Sequence, residues 1–352
     1  MIKRRKTKTV NVGKVKIGSV AHIVIQSMTK VPTIDVDRCI EQINQLANAG
    51  CRLVRLAVPR RADTDAFAQI VQKVNVPLIA DVHFSPDRAV EAIEAGAAKI
   101  RLNPGNIKNR NDIFRIIDAA KMHKTAIRIG VNEASIRDLR KEPVPIQKRT
   151  ALMLREMKSY VRLFEGRNFN SLVLSAKSSD VARTIEINRA ISETFDYPIH
   201  LGLTHAGLPE DARIPSAIAL GTLLAEGIGD TIRVSAAGNP VEEVEIAKQI
   251  LIALGLHERS SPELIVCPTC ARADIDMVKL ARQVEKAIRK IDKPLRIAVM
   301  GCVVNGPGEA ADAELAICAA KNKGYIYRNG RRISIVPENQ IIPALLEELQ
   351  KI

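Results

Sequence analysis

The chain has 352 residues, 46% of them apolar and 26% charged, enough for one large domain with a small one or for two of medium size. Six Phe, four Tyr and no Trp leave a core packed from Ile, Val, Leu and Ala, and argue against an aromatic platform for single-stranded nucleic acid. A formal charge of +14 favours anionic ligands or acidic partners, while six cysteines in so long a chain argue against a disulfide scaffold and for a reducing cytoplasm.

The head, Lys3-Arg4-Arg5-Lys6, reads as a frayed basic terminus without the apolar run of a secretion signal or membrane anchor, and no segment has the length of a membrane span. From residue 20 to about 260 one pattern repeats: a short apolar strand, a polar or Gly-containing turn, an amphipathic helix. The spacing predicts strands at 22–26, 53–57, 78–81, 99–102, 126–130, 171–175, 199–203 and 231–234. Helices are predicted near 36–49, 64–73, 86–95, 110–123, 149–164, 179–194, 214–226 and 240–254. Asp35, Ser85 before Pro86, Asn109 and Ser178 read as helix starters, and Gly50, Gly96 and Gly227 as stops. Eight alternating units suit a closed parallel ring with right-handed crossovers, the TIM (β/α)8 barrel. An open doubly wound sheet is disfavoured, because no Gly-x-Gly-x-x-Gly fingerprint follows any strand.

Polar residues gather at the carboxyl ends of these strands: Gln26, Arg55, Asp81, His83, Arg101, Asn103, Arg128, Asn132, Lys177, Thr204, His205, Arg233 and Ser235. In a barrel they would ring one mouth, and four arginines with one lysine would make it cationic. Its ligand is expected to be a small, multiply charged anion such as a phosphate or diphosphate. Asp81 and His83 are read as facing opposite ways. His22, His123, His200 and His257 read as incidental.

After a linker at Arg259-Ser260-Ser261-Pro262 the pattern changes to a small α+β module, giving domains 1–258 and 259–352. Strands at 263–266 and 295–300 lead into two cysteine turns, Cys267-Pro268-Thr269-Cys270 and Gly301-Cys302-Val303-Val304-Asn305-Gly306-Pro307-Gly308-Glu309. A charged helix at about 273–290 separates them. Strands at 313–319, 325–328 and 333–336 and a helix at about 339–350 complete the module. Two sulfurs on one tight turn and a third arriving by folding is the arithmetic of an iron–sulfur or zinc site. Cys318, in an apolar run, or Glu309, on the turn of Cys302, could supply a fourth ligand. Cys39 and Cys51 read as small buried hydrophobes, as does Cys318 if the metal leaves it unused.

Taken together, the runs 24–29, 80–84, 101–107, 128–132 and 226–235 and both cysteine turns make the chain similar to the bacterial two-domain 4-hydroxy-3-methylbut-2-enyl diphosphate synthase family, over nearly its whole length. The resemblance implies a TIM barrel that binds 2-C-methyl-D-erythritol 2,4-cyclodiphosphate. It also implies a reductase-like second domain with a 4Fe-4S cluster on Cys267, Cys270, Cys302 and Glu309. Arg55, Arg101, Arg128, Lys177 and Ser235 would hold the phosphates, with His83, Asn103 and Asn132 nearby and Asn305 between cluster and substrate. Flavodoxin or ferredoxin would supply electrons to a homodimer, with no nucleic acid or membrane as partner. The chain departs from the family's pattern at His205, where that pattern has a glutamate thought to assist loss of the hydroxyl, and also at Pro215 and Ala271. Rival expectations are an iron–sulfur eliminase or transferase for another phosphorylated substrate, a metal-stabilised RNA-binding protein with an exterior cationic stripe, and a phosphate-binding barrel with a structural metal.

Overall fold

The computed structural model describes residues 2–19, 21–83, 85–103, 106–107, 109–136, 144–204, 207–273 and 275–352. The chain forms two compact units, Met1–His257 and Glu258–Ile352.

The first unit opens with an antiparallel hairpin, β1 (Val10–Val12) and β2 (Val15–Ile17). The barrel strands follow: β3 (Val24–Met28), β4 (Leu53–Ala57), β5 (Leu78–Asp81), β6 (Lys99–Leu102), β7 (Ala126–Asn132), β8 (Leu172–Lys177), β9 (His200–Leu201) and β10 (Thr231–Ile232). They alternate with α1 (Val36–Asn48), α2 (Arg61–Lys73), α3 (Pro86–Glu94), α4 (Arg110–Met122), α5 (Ile146–Glu165), α6 (Val181–Thr194), α7 (Pro209–Ala225) and α8 (Pro240–Ala253). All neighbouring barrel strands pair in parallel in the order β8-β7-β6-β5-β4-β3-β10-β9, and a parallel bridge from Leu174 to Ile199 brings the two ends together. This is the expected (β/α)8 barrel. Caps act where the chemistry predicts: the side chains of Asp35, Ser85 and Asn109 accept backbone N–H bonds at the starts of α1, α3 and α4. At α6 the cap is Asp180, two residues beyond the predicted Ser178.

Two features of the head differ from expectation. Val10, Val12, Val15 and Ile17 are buried against Val24, Leu53, Ile79, Ala126 and Val173, so the hairpin floors the amino-terminal end of the barrel. The basic cluster is not frayed. Arg4 binds Asp230 at 2.6 Å, and Arg5 donates to the carbonyls of Ser192 at 3.0 Å and Tyr197 at 2.6 Å, at the end of α6. Guanidinium groups satisfy carbonyls that a helix terminus leaves open, so the charge run does structural work.

The second unit carries β11 (Glu263–Val266), α9 (Met277–Ile288), β12 (Arg296–Met300), α10 (Gly306–Glu309), β13 (Leu315–Ala320), β14 (Lys323–Arg328), β15 (Arg331–Pro337) and α11 (Ile341–Leu349). The sheet order is β11-β12-β13-β14-β15, parallel through β13 and antiparallel afterwards. Buried Met277, Leu280, Val284 and Ile288 of α9 and Ile341 and Leu345 of α11 pack with Ile297, Val299, Leu315, Ile317 and Ile326. The sheet's remaining apolar residues, Ala298, Met300, Ala316 and Cys318, form a smaller cluster with Ala310 and Ala313 of the loop that carries α10.

Candidate functional site

The barrel strands bury charge on a scale a core does not normally tolerate. Register places Asp81, Arg101 and Arg128 in one row across β5, β6 and β7. Arg55 Nε lies 3.5 Å from Asp81 Oδ2, and Arg101 Nη1 lies 3.4 Å from Asp81 Oδ1. His83 Nε2 is 3.7 Å from the same Oδ1, and its Nδ1 is 2.9 Å from Arg101 Nη1. Asp81 and His83 therefore do not face opposite ways, because residues two apart along an extended chain share a side. Burial would raise the Asp81 carboxyl, but Arg55 and Arg101 outweigh it and hold the group below 3.8. Burial also pulls His83 below its ordinary value, with Arg101 and Arg55 adding to it, so the ring is neutral and its Nδ1 accepts from Arg101.

Arg233 meets a different carboxylate, Glu243 of α8, through Nε at 3.1 Å and Nη2 at 3.2 Å. Glu243 is buried and also accepts from Ser27 Oγ at 3.0 Å. Arg128 has no such partner: its Nε and Nη1 are buried without a hydrogen bond among the described residues. Burial, then repulsion from Arg55 and Arg101, pulls its pKa well down. Lys177 is buried too, and is pulled well down by burial and by Arg128. It lies against β9, where a Cβ on Gly202 would come 2.5 Å from its Nζ and 2.6 Å from the Arg233 carbonyl oxygen. Only glycine leaves room for that side-chain nitrogen.

One layer deeper sits a residue that strand-end reasoning missed. Lys99, the first residue of β6, is completely buried, and its Nζ reaches 3.4 Å to Gln26 Oε1 on β3, a strand that does not neighbour β6. His200, read as incidental, is also completely buried, with Nδ1 2.6 Å from Thr231 Oγ1 and Nε2 without a partner among the described residues. Burial and the nearby Arg128 and Lys177 keep it neutral. Among the described residues, then, the basic side chains Arg55, Lys99, Arg101, Arg128, Lys177 and Arg233 outnumber the carboxylates Asp81 and Glu243, and Glu243 is shared with Lys30 at 3.1 Å; burial pulls Lys99 and Lys177 well below the ordinary lysine value. Basic groups packed inside a barrel can hold a compact anion.

Asn103 is buried just past the end of β6, Asn132 is half-buried as the last residue of β7, and Ser235 is half-buried shortly after β10. His205 lies outside the described residues, as do Ala206, Pro104 and Gly105. Glu133, just after β7, was not anticipated either: it ties Arg149 of α5 at 2.8 Å and Arg183 of α6 at 3.1 Å and accepts from Ser178.

The second unit gathers the cysteines. β11 and β12 are adjacent and parallel, so the turns that follow them emerge side by side. Cys267, Cys270, Cys302, Asn305, Glu309 and Arg272 line one cavity of about 90 Å³. Thr269 holds φ at +56°, a left-handed conformation unusual for a β-branched residue, in the turn between the first two sulfurs. The Gly301 N–H donates to Cys267 Sγ at 3.2 Å. Backbone N–H groups of Asn305 and Val304, and more weakly the Arg272 side chain, hold the Cys302 thiol below its ordinary value.

Among the described residues no three His, Cys, Asp or Glu side chains are disposed around a single ion. A cluster makes a different demand, since each thiolate binds its own iron. Three sulfurs and one carboxylate on a common cavity, with amide hydrogens aimed at sulfur and a nearby guanidinium to balance negative charge, fit such a polynuclear group. Cys318 is completely buried beneath this turn, and burial together with the charges of Cys302 and Cys267 raises its pKa to about 12. It behaves as an apolar filler, like Cys39 and Cys51.

The GcpE TIM-barrel domain matches residues 7–248 and the GcpE protein C-terminal domain matches residues 263–351. The chain is 45% identical over 352 residues to a 4-hydroxy-3-methylbut-2-en-1-yl diphosphate synthase (flavodoxin) of Caldanaerobacter subterraneus subsp. tengcongensis, covering 100% of this chain and 99% of the relative. It is 42% identical over 353 residues to the protein of that name from Malacoplasma penetrans, covering 99% and 94%. Among solved structures, dihydropteroate synthase from Stenotrophomonas maltophilia superposes with a TM-score of 0.51 at 13% identity, over 69% of this chain and 98% of that one. That likeness speaks only for the barrel fold.

Proposed function

The chain belongs to the GcpE family, and from that premise we propose that it reduces 2-C-methyl-D-erythritol 2,4-cyclodiphosphate to 4-hydroxy-3-methylbut-2-enyl diphosphate. Two electrons and two protons enter. The ring C–O bond to phosphate breaks, and the hydroxyl leaves as water. The observation that carries this reading is the crowding of buried basic side chains in the barrel, with Arg128 Nε and Nη1 lacking partners among the described residues, which suits a compact ligand of high negative charge.

Arg55, Arg101, Arg128, Lys177 and Ser235 bind the two phosphates. Arg128 contributes the two N–H groups that lack partners among the described residues. Ring opening frees a terminal phosphate oxygen and raises its charge, and these fixed donors stabilise that charge without reorganising. Asp81 keeps Arg55 and Arg101 aimed, and neutral His83, with Asn103 and Asn132, orients the carbon skeleton. His205 stands where the family's pattern has glutamate and acts as the proton donor to the departing hydroxyl; its reference pKa of about 6.5 permits that near neutrality. A 4Fe-4S cluster on Cys267, Cys270, Cys302 and Glu309 would supply electrons singly and a Lewis-acidic iron. Glu309, a harder and more exchangeable ligand than thiolate, leaves one position that can open. Asn305 lines the same cavity as the cysteines and is assigned a role in the reaction there. The working unit is a cytoplasmic homodimer fed by flavodoxin or ferredoxin; flavodoxin stands in the relatives' names.

The test is anaerobic turnover of the cyclic diphosphate with reduced viologen, the allylic diphosphate being read by mass and phosphorus resonance. About four irons per chain are expected in active protein. Full iron content with no product would sink the assignment. A related phosphorylated substrate is the alternative that His205 favours, and His205→Glu separates the two: it gains turnover on the cyclic diphosphate only if that compound is bound correctly.

A further inference from the structure

Across the second unit's sheet, one apolar row runs from the cysteine cavity to the edge strand. Met300 lines the cavity and pairs with Cys318, Cys318 pairs with Tyr325, and Tyr325 pairs with Ile335 on β15. Three strand spacings put the exposed end about 14 Å from the cavity wall. At that end the surface is unusual. Ile333 and Ile335 are 43% and 53% exposed on neighbouring positions of the edge strand. Around Tyr325 stand Lys323, 5.6 Å from the ring centroid, and Arg332, 5.9 Å from it. From Leu315 to Pro337 the chain has five basic residues and no acidic one. Arginine on an edge strand also deters strand-to-strand pairing, but that role gives no reason for two exposed isoleucines.

We propose that this β14–β15 face, with Ile333 and Ile335 at its centre and Lys323, Arg331 and Arg332 at its rim, docks the acidic one-electron carrier protein that feeds the cysteine cavity. The assignment rests on the function proposed above and adds the place of contact. An apolar centre with a like-charged rim is the form of a small, transient redox interface, in which rim charge sets the encounter rate. Each encounter passes one electron: the carrier's reduced flavin is oxidised by one step and the cluster reduced by one. Two encounters supply the pair consumed, and no bond forms between the proteins. Tyr325 and Cys318 fill the intervening space with packed protein, which shortens the gap an electron must cross.

Arg332→Glu and Ile335→Asp test this in the cluster-loaded chain with two reductants, reduced flavodoxin and reduced methyl viologen. The KM for flavodoxin is expected to rise about tenfold, with viologen-driven turnover within about twofold of the parent. Anisotropy of the flavin of oxidised flavodoxin, titrated with each protein, should show the same loss of binding, and added salt should weaken the parent's binding. If Ile335→Asp does not fold, Lys323→Glu alters the same rim. An unchanged flavodoxin KM in both variants overturns the proposal. So does an equal fall with both reductants at normal iron content, which would assign the face to a second copy of the chain. A parent inactive with viologen refutes the proposed reaction instead, and the anisotropy titration then decides the docking face by itself.

Discussion

Arg128 offers the sharpest test of the barrel as an anion receptor, because stability and binding should move in opposite directions. Its Nε and Nη1 are buried without partners among the described residues, beside Arg55 and Arg101. Each unsatisfied buried polar group costs about 1–3 kcal/mol. Arg128→Met keeps the length and apolar stem but removes both groups and the repulsion. After allowance for imperfect packing, the ligand-free barrel should gain about 1–3 kcal/mol, which raises the melting temperature by about 2–12 °C at roughly 2–4 °C per kcal/mol. Binding should suffer. Two charge-assisted hydrogen bonds lost to a diphosphate weaken its affinity by at least about 100-fold. Pyrophosphate at 100 times the parent's Kd stabilises the parent by about 2.7 kcal/mol, but a variant binding 100-fold more weakly by only about 0.4 kcal/mol. Thermal melts of both proteins with and without pyrophosphate read all four values. A variant that melts lower without ligand, or that keeps the parent's pyrophosphate shift, would refute the receptor argument.

Other substitutions extend the argument. Asp81→Asn removes the carboxylate that balances Arg55 and Arg101, and should destabilise the barrel by about 3–5 kcal/mol, with sulfate or pyrophosphate restoring part of the loss. The folded Asp81 carboxyl is depressed below 3.8, so its contribution is complete above that pH and vanishes as pH falls through the lower folded value; acid titration of the variant's stability should lack this limb. Gly202→Ala drives a methyl to 2.5 Å from Lys177 Nζ and 2.6 Å from a backbone oxygen that cannot swing away. A loss of about 2–3 kcal/mol in melts, with a raised KM for the cyclic diphosphate, is expected. Alkylation of cluster-free protein at pH 8, read by peptide mass, should modify the exposed Cys270, the half-buried Cys267 and Cys302, whose thiol is held below its ordinary value. Cys39, Cys51 and Cys318 should be spared, because burial pushes their thiols to about 11, 12 and 12. Iron–sulfur loading should protect the first three, and labelling that ignores loading would show that the cavity does not hold the cluster.

Much of this molecule is local and therefore readable. Strand and helix periods set eight αβ units, and an apolar strand closed by Arg55, Arg101 or Arg128 announces a charge that must be used where it emerges. Two cysteine turns after apolar runs likewise announce sulfurs that the fold brings to one cavity. What periodicity states is which residues of one element share a face; what it omits is which faces meet. Lys99 looks like a solvated start to β6 until closure of the ring carries it inside, opposite Gln26 of β3. His200 looks incidental until Thr231 and the barrel cations surround it. Arg272 becomes relevant only because parallel β11 and β12 place their turns together, Arg4 because the distant Asp230 carboxylate accepts from it, and Arg5 because distant carbonyls do. The sequence by itself determined the units, the strand-end charges and the sulfur turns, since each depends on neighbours along the chain. Tertiary structure alone decided which basic side chains have carboxylate partners and which have none among the described residues, because that balance is struck between segments far apart in sequence and exists only once the barrel has closed.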